Sequence, residues 1–282
     1  MNILTFDIED WFHILDHRST KTESDWLNYE SRIEKSMETI FEFLNKRNLQ
    51  ATFFVVGWIA EKYPEIVKRI DYYGYDIGSH THMHQLLFEQ NQNEVFNDIQ
   101  KSIYTIEDLI SKKVRCFRAP GFSITERNKW VFDVLIKLGI EIDCSIFPAN
   151  RAHGGLPSFT QSKPTKIMSN NLMIKEFPIN TVNFFFKKLI FSGGGYFRLV
   201  PYNLIKRFTK NSDYVMSYFH PRDFDINQPV IKDLTLIRKF KSYYGIKDCL
   251  KKLEFWTKDF DFIDLKAADM KTNWDEVDTV II

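Results

Sequence analysis

Three cysteines in 282 residues, Cys116, Cys144 and Cys249, are too few, too far apart and odd in number to form a disulfide framework. Their scarcity excludes a small disulfide-stapled fold and fits a reducing compartment. No apolar run is long enough to span a bilayer, because the longest, around Val182 to Phe191, is interrupted by Lys187 and Lys188. It reads as a core strand and loop, the sharper alternative being a peripheral contact with a membrane face or a lipid-linked substrate. Neither sign of charge dominates: 38 basic residues stand against 37 acidic ones, so no electrostatic footprint marks nucleic acid as a partner. Nothing before the acids that begin at Asp7 resembles a signal peptide, and a cytoplasmic protein is expected. Internal repeats and low-complexity linkers are also missing.

What is present suffices for a large core. Hydrophobic residues make up 44% of the chain, and α/β barrels of this size fold as one unit, so residues 1–282 are expected to form a single domain. Short apolar runs alternate with helical patterns, as a parallel architecture requires. Ile33, Met37, Ile40, Phe41 and Leu44 follow helical spacing within 32–46, and Val95, Ile99, Ile103, Ile106 and Ile110 do so within 94–110. Between them, residues 51–57 read as a buried strand. Pro64 opens a short helix that stops near Gly74. Further strands are expected at 114–118, 141–145, 214–220 and 260–265, with a helix over 126–138 and helical segments after Asp233 broken near Gly245. Residues 148–173, rich in Gly, Pro, Ser, Thr and Asn, read as a long loop, in which His153 helps to shape a pocket. The glycines Gly193 to Gly195 either permit close backbone approach beside Tyr196 or make a tight turn between strands.

The chemistry concentrates in a few short runs. His80, His82 and His84 are three of the seven histidines in the chain, and neutral imidazole is the commonest side-chain ligand of zinc and its neighbours. In a helical turn His80 and His84 share a face and His82 points elsewhere; in an extended segment all three line up. The opening strand ends in Asp7, Glu9 and Asp10, carboxylates whose mutual repulsion a cation relieves. Arg118-Ala119-Pro120-Gly121-Phe122, Asp143 and Phe219-His220-Pro221 each place polar groups at the end of an apolar run.

In this order, the Thr-Phe-Asp run at 5–7, the His-Thr-His-Met-His run at 80–84, the Arg-x-Pro run at 118–120, the run bearing Asp143 and the late Phe-His run at 219–220 resemble the polysaccharide deacetylases of the NodB-homology domain, carbohydrate esterase family 4. Gly193-Gly194-Gly195-Tyr196-Phe197-Arg198, Glu176-Phe177-Pro178 and Phe219-His220-Pro221 resemble a subset associated with exopolysaccharide and surface-glycan assembly. The resemblance spans residues 4–225. It implies a distorted (β/α) barrel, seven-stranded, and metal-dependent hydrolysis of the N-acetyl amide of an amino sugar.

By the same resemblance His80 and His84 bind a divalent metal with Glu9, or alternatively Asp10, as third ligand. Zinc is expected, and cobalt, nickel or manganese suit such a site too. Asp7 is the implied general base, Arg118 the partner that holds it ionised, and His220 the general acid, oriented by Asp143. Gly121, Phe122, His153 and Tyr196 are the implied oxyanion and substrate contacts. His82 has no counterpart in the family pattern and is expected to be structural. An N-formyl substrate, another non-peptide amide, and a glycan-binding domain without catalysis are the competing readings; the sequence leaves the sugar and the oligomeric state open.

Overall fold

The computed structural model describes residues 1–15, 17–151, 154–184 and 187–282. Twelve strands organise them: β1 (Asn2–Ile3), β2 (Thr5–Ile8), β3 (Thr52–Val55), β4 (Asp76–Ser79), β5 (Cys116–Phe117), β6 (Ile142–Asp143), β7 (Thr165–Ser169), β8 (Leu172–Glu176), β9 (Val182–Phe184), β10 (Lys187–Leu189), β11 (Val215–Met216) and β12 (Thr279–Ile281). β2, β3, β4, β5, β6 and β8 pair side by side, all parallel. β1, which leads into β2 through Leu4, pairs in parallel with β11. Counting β1 and β2 as one, seven parallel strands therefore line the ring.

Between β8 and β11 the ring is joined without a ladder. Tyr214 donates its hydroxyl to Pro178 O at 2.7 Å, and Met216 N donates to Asn180 Oδ1 at 3.1 Å. An isolated parallel bridge, Gly193 to Tyr218, adds to this seam. A Cβ on Gly193 would lie 2.2 Å from Tyr218 O, so glycine is required there by close approach. The triple glycine is thus a bridge leading into the helix Gly194–Leu199, and the expected turn between strands is not what forms.

Strand alternation sorts side chains between two cores. Leu4, Phe6 and Ile8 pack outward with the helices Ile33–Arg47 and Gln92–Ile110, whereas Ile3 points into the ring beside Phe54, Cys116, Ile142 and Met216. Thr5 and Asp7 share the inward face, which delivers polar groups to Arg118 in the middle of the ring. Asn91 caps the long helix through Asn93 N and Glu94 N, and Glu94 returns a bond to Asn91 N.

Two expectations fail here. Residues 148–173 do not stay a loop to their end: β7 and β8 form an antiparallel hairpin through Asn170 and Asn171, whose φ angles of 48° and 63° suit a two-residue primed turn. Asparagine tolerates the left-handed region, so the Asn-Asn pair was the available signal. Residues 260–265 give no strand either. Ile263 makes a single bridge to Ile3 and the helix Leu265–Lys271 follows, capped by Asp264 on Ala267 N. The expected strands at 114–118, 141–145 and 214–220 shorten to two residues each. Among the described residues no helix is long and apolar enough to cross a membrane.

Candidate active site

The chemistry-bearing runs converge at the C-terminal ends of the parallel strands, the edge of a barrel where ligands bind. β2 carries Asp7 near its end and leads to Glu9. β4 runs into His80, and the turn that follows, with φ of 64° at Thr81 and 50° at His84, brings His84 back beside His80, ring centroids 5.2 Å apart. Thr81 Oγ1 accepts from His84 N at 3.0 Å and fixes that turn. His82 is thereby turned away. It is buried, its Nε2 lies 3.4 Å from Glu61 Oε2, and burial pushes its pKa down to about 4.

Glu9, His80 and His84 each offer a ligand atom, and these atoms all lie within 4.8 Å of one another. His84 Nε2 stands 2.5 Å from Glu9 Oε2. His80 Nδ1 is engaged with Arg118 O at 2.6 Å, which leaves Nε2 for a ligand and orients the ring. Burial lowers the His80 pKa to about 4, so the imidazole is neutral and available as a donor. Burial would raise the Glu9 pKa, but His84, His220 and His80 outweigh it and hold the carboxylate well below its usual range. Two imidazoles and one ionised carboxylate fit a divalent ion. Asp10 is not in this group: it accepts from Trp11 N, Ser31 Oγ and Arg32 N and anchors the loop before the helix Ile33–Arg47.

Asp7 sits behind the trio. Arg118 Nη1 donates to its Oδ1 at 2.7 Å and to Thr5 Oγ1 at 2.7 Å, and the guanidinium lies 4.3 Å over the Phe54 ring. His220 faces this pair, with Nε2 at 3.8 Å from Asp7 Oδ2 and 3.9 Å from Glu9 Oε1. Burial would lower the His220 pKa, but Glu9, the hydrogen bond that His220 donates to Asp223, and Asp7 push it up to about 9.

Asp143 does not orient His220. The partner is Asp223, whose Oδ2 stands 2.9 Å from both His220 N and His220 Nδ1. Arg198 Nε in turn lies 3.2 Å from Asp223 Oδ1, and Arg198 also donates to Ser242 O and Lys241 O. The local cause is Pro221: it starts a 3-10 turn, and the carboxylate three residues after His220 caps it. The His-Pro-Arg-Asp run carried that signal.

Asp143 serves another unit. It faces Glu176 across β6 and β8, hydrogen-bonds with it, and accepts from Ser145 Oγ at 2.5 Å. Burial raises both pKa values, Glu176 well above 4.5, so this carboxyl pair keeps a proton. Folding then takes up a proton above the unfolded value, and stability falls as pH rises from 4.5 toward the folded pKa. The variant Glu176→Gln keeps the hydrogen-bonding shape without the titration. Its melting temperature should match the parent near pH 5 and exceed it increasingly at higher pH, the gap in stability growing by at most about 1.4 kcal/mol per pH unit. A gap that does not change between pH 5 and pH 8 in thermal denaturation would refute the shared proton.

The trio, Asp7 and His220 all border one cavity of about 360 Å³. Gly121 and Phe122 line it, with Gly121 at φ 60° and Phe122 at φ 54°. The Phe122 ring packs edge-on to Tyr218 at 5.0 Å, and Tyr218, which the sequence reading passed over, is the second aromatic wall. Tyr196 does not border the cavity and is partly exposed. His153 lies outside the described residues.

His13 was also missed. It borders the cavity beside His84, with ring centroids 5.6 Å apart, and its Nδ1 accepts from Asp10 N at 2.9 Å. Trp26 and Trp58 pack against it edge-on, and burial pushes its pKa well down. The only sequence signal was its place four residues beyond Glu9.

Residues 17–142 match the family described as polysaccharide deacetylase, and residues 144–269 match a domain of unknown function (DUF3473). The junction falls at β6, within the ring. Among curated proteins the chain is 39% identical over 92 residues to a peptidoglycan-N-acetylglucosamine deacetylase of Bacillus cereus, spanning 32% of this chain and 34% of that one. It is 34% identical over 102 residues to a chitooligosaccharide deacetylase of Azorhizobium caulinodans, spanning 36% of this chain and 47% of that one. The matches thus cover less than half the length of these relatives. A polysaccharide deacetylase-type structure from Mycobacterium smegmatis superposes with a TM-score of 0.65 at 15% identity, covering 98% of this chain and 91% of that one. At that identity the likeness shows a common fold.

Proposed function

Because the chain carries a polysaccharide deacetylase domain of the NodB-homology, carbohydrate esterase family 4 type, we propose that its cleft hydrolyses the N-acetyl amide of an amino sugar with a divalent metal ion. The observation that carries the reading is the meeting of three units in one cavity: the Glu9, His80 and His84 trio, Asp7 paired with Arg118, and His220 paired with Asp223. The relatives matched over part of the chain act on N-acetylglucosamine polymers and chitooligosaccharides by name, which supports an N-acetylated saccharide as substrate.

Amide hydrolysis needs an activated water, stabilisation of the developing oxyanion and a proton for the departing amine. A divalent ion held by Glu9, His80 and His84 supplies Lewis acidity for the first two needs. Asp7 takes the proton from the attacking water at Oδ2, the oxygen its bond with Arg118 leaves open. Arg118, buried in the ring, is the counter-charge of Asp7 and fixes its plane. His220 stands across the cleft with Nε2 toward the same space, and Asp223 holds Nδ1, so the imidazolium delivers its proton from Nε2 to the amine. The backbone N–H of Gly121 completes the oxyanion contacts, and Phe122 and Tyr218 wall the acyl group.

The test is release of acetate and formate from a panel of N-acetylated and N-formylated saccharides: free oligosaccharides, nucleotide-linked sugars and lipid-linked glycans. Acetate release from at least one of them, abolished by a chelator and restored by zinc or cobalt, is the expected result. Formate alone would shift the reading to deformylation. Tight binding of these saccharides with neither product released would replace hydrolysis by a glycan-binding role.

A further inference from the structure

The cleft is cationic in a chain whose net charge is only +1. Arg151, Arg222, Arg238 and Lys241 all border the cavity that holds Asp7 and His220. Asp7 and Glu9, the acids on the same lining, are already engaged by Arg118 and His84. Among the described residues, Arg151, Arg222 and Lys241 border the open space and neither acid of the lining forms an ion pair with them.

Two of them are built to receive a ligand. Arg151 is held flat by aromatic rings, its guanidinium carbon 4.5 Å over Phe147 and 5.1 Å over Phe122. Arg222 is fixed by its Nε, which donates to Gln228 Oε1 at 3.1 Å, and by the Tyr243 ring 5.5 Å away. Among the described residues, Arg151 Nη1 and Arg222 Nη2 are buried and have no hydrogen-bond partner. A buried unpaired guanidinium N–H costs roughly 1–3 kcal/mol or more, a cost that a bound acceptor removes.

We propose that the saccharide hydrolysed in this cleft carries an oxyanion, a phosphate ester or a sugar carboxylate, held by Arg151 and Arg222. Rigid guanidinium forks match phosphate and carboxylate oxygens better than they match hydroxyl groups. Arg238, whose Nη2 donates to Leu15 O at 2.6 Å, and the exposed Lys241 extend the positive field toward the mouth and steer an anion inward. This assignment rests on the deacetylase reading for the reaction, and on the cleft alone for the charge.

Three probes with the same N-acetyl group separate the possibilities: neutral chitooligosaccharide, N-acetylglucosamine linked to a nucleoside diphosphate, and a disaccharide of glucuronate and N-acetylglucosamine. Acetate release gives kcat/KM for each, and calorimetry on the metal-loaded protein gives binding independently of turnover. One anionic probe should exceed the neutral one by about tenfold or more at low ionic strength, with the advantage shrinking at high salt. Which probe it is distinguishes phosphate from carboxylate. Arg151→Gln and Arg222→Gln should each reduce the anionic-to-neutral ratio, with Arg222→Lys intermediate because it retains charge but loses the fork. Equal kcat/KM and equal affinity for neutral and anionic probes, or a ratio unchanged in the double variant, would overturn the proposal. Preferential binding of an anionic probe with no acetate released from any probe would instead overturn the deacetylase reading and leave the anion site standing.

Discussion

Replacing His80 and His84 together by alanine is expected to empty the protein of its divalent ion and to abolish turnover. Purified wild type should contain close to one ion per chain by elemental analysis, as a three-ligand catalytic site holds one. The double variant should contain almost none. The fall in kcat should reach about 10³-fold or more, since Lewis acidity contributes several kcal/mol and each 1.4 kcal/mol is tenfold. The variant loses the contact of His80 Nδ1 with Arg118 O, but Thr81 Oγ1 accepts from the backbone N of residue 84, a bond that alanine retains, so the turn keeps much of its geometry. An unchanged metal content in the folded variant would show that the ion is held elsewhere. Glu9→Gln and Asp10→Asn extend the comparison: only the first should weaken metal binding, because Asp10 is spent on Trp11, Ser31 and Arg32.

Asp7→Asn should separate chemistry from binding. The amide preserves the shape of the carboxylate and removes the proton acceptor, so turnover should fall by roughly 10²-fold or more while metal and saccharide still bind. The change also leaves the buried Arg118 guanidinium without its counter-charge, and a lower melting temperature is expected alongside. Activity is therefore compared per folded molecule, with the melting curve measured in parallel. His220→Ala should likewise lower kcat far more than it raises the dissociation constant, since His220 acts late, on the leaving amine. Undiminished hydrolysis by Asp7→Asn would remove the general base from the mechanism.

Much of the site's geometry was readable because it is local. Asp7 and Glu9 are two apart at the end of an extended strand, so they emerge on one side. His80 and His84 are four apart in a turn, and the turn brings them together. Arg118 stands at the end of β5 and reaches Asp7 because both point into the ring. The misses came from contacts that no sequence spacing encodes, or from local signals overlooked. Asp143 lies on β6 and His220 follows β11, on different parts of the ring, and the fold brings Asp143 to Glu176 instead. Asp223, three residues after His220 and beyond Pro221, is legible in the sequence as a cap. The β7–β8 hairpin was hidden by polar composition: its Asn-Asn turn reads as loop unless the left-handed tolerance of asparagine is weighed. Tyr218 and Tyr196 both flank glycine or histidine motifs, and burial chose Tyr218. Arg151 and Arg222 gave no signal in a balanced net charge, since only folding gathers them on one wall.

The seam between β1 and β11 sets an order of events during synthesis. Asn2 and Ile3 pair with Val215 and Met216, and Thr5 Oγ1 donates to Ser217 O. The strand that presents Asp7 and Glu9 can find β3 soon after it leaves the ribosome, but its other edge stays bare until residues 215–219 emerge. For that interval a nascent chain displays an apolar, unpaired strand edge, the kind of surface that captures chaperones or neighbouring chains. Sequence-distant closure of this sort is slow. The strand that carries Asp7 and Glu9 therefore waits for its second neighbour, and a ribosome pausing before residue 215 would hold the parallel strands from β1 to β8 with the ring still open.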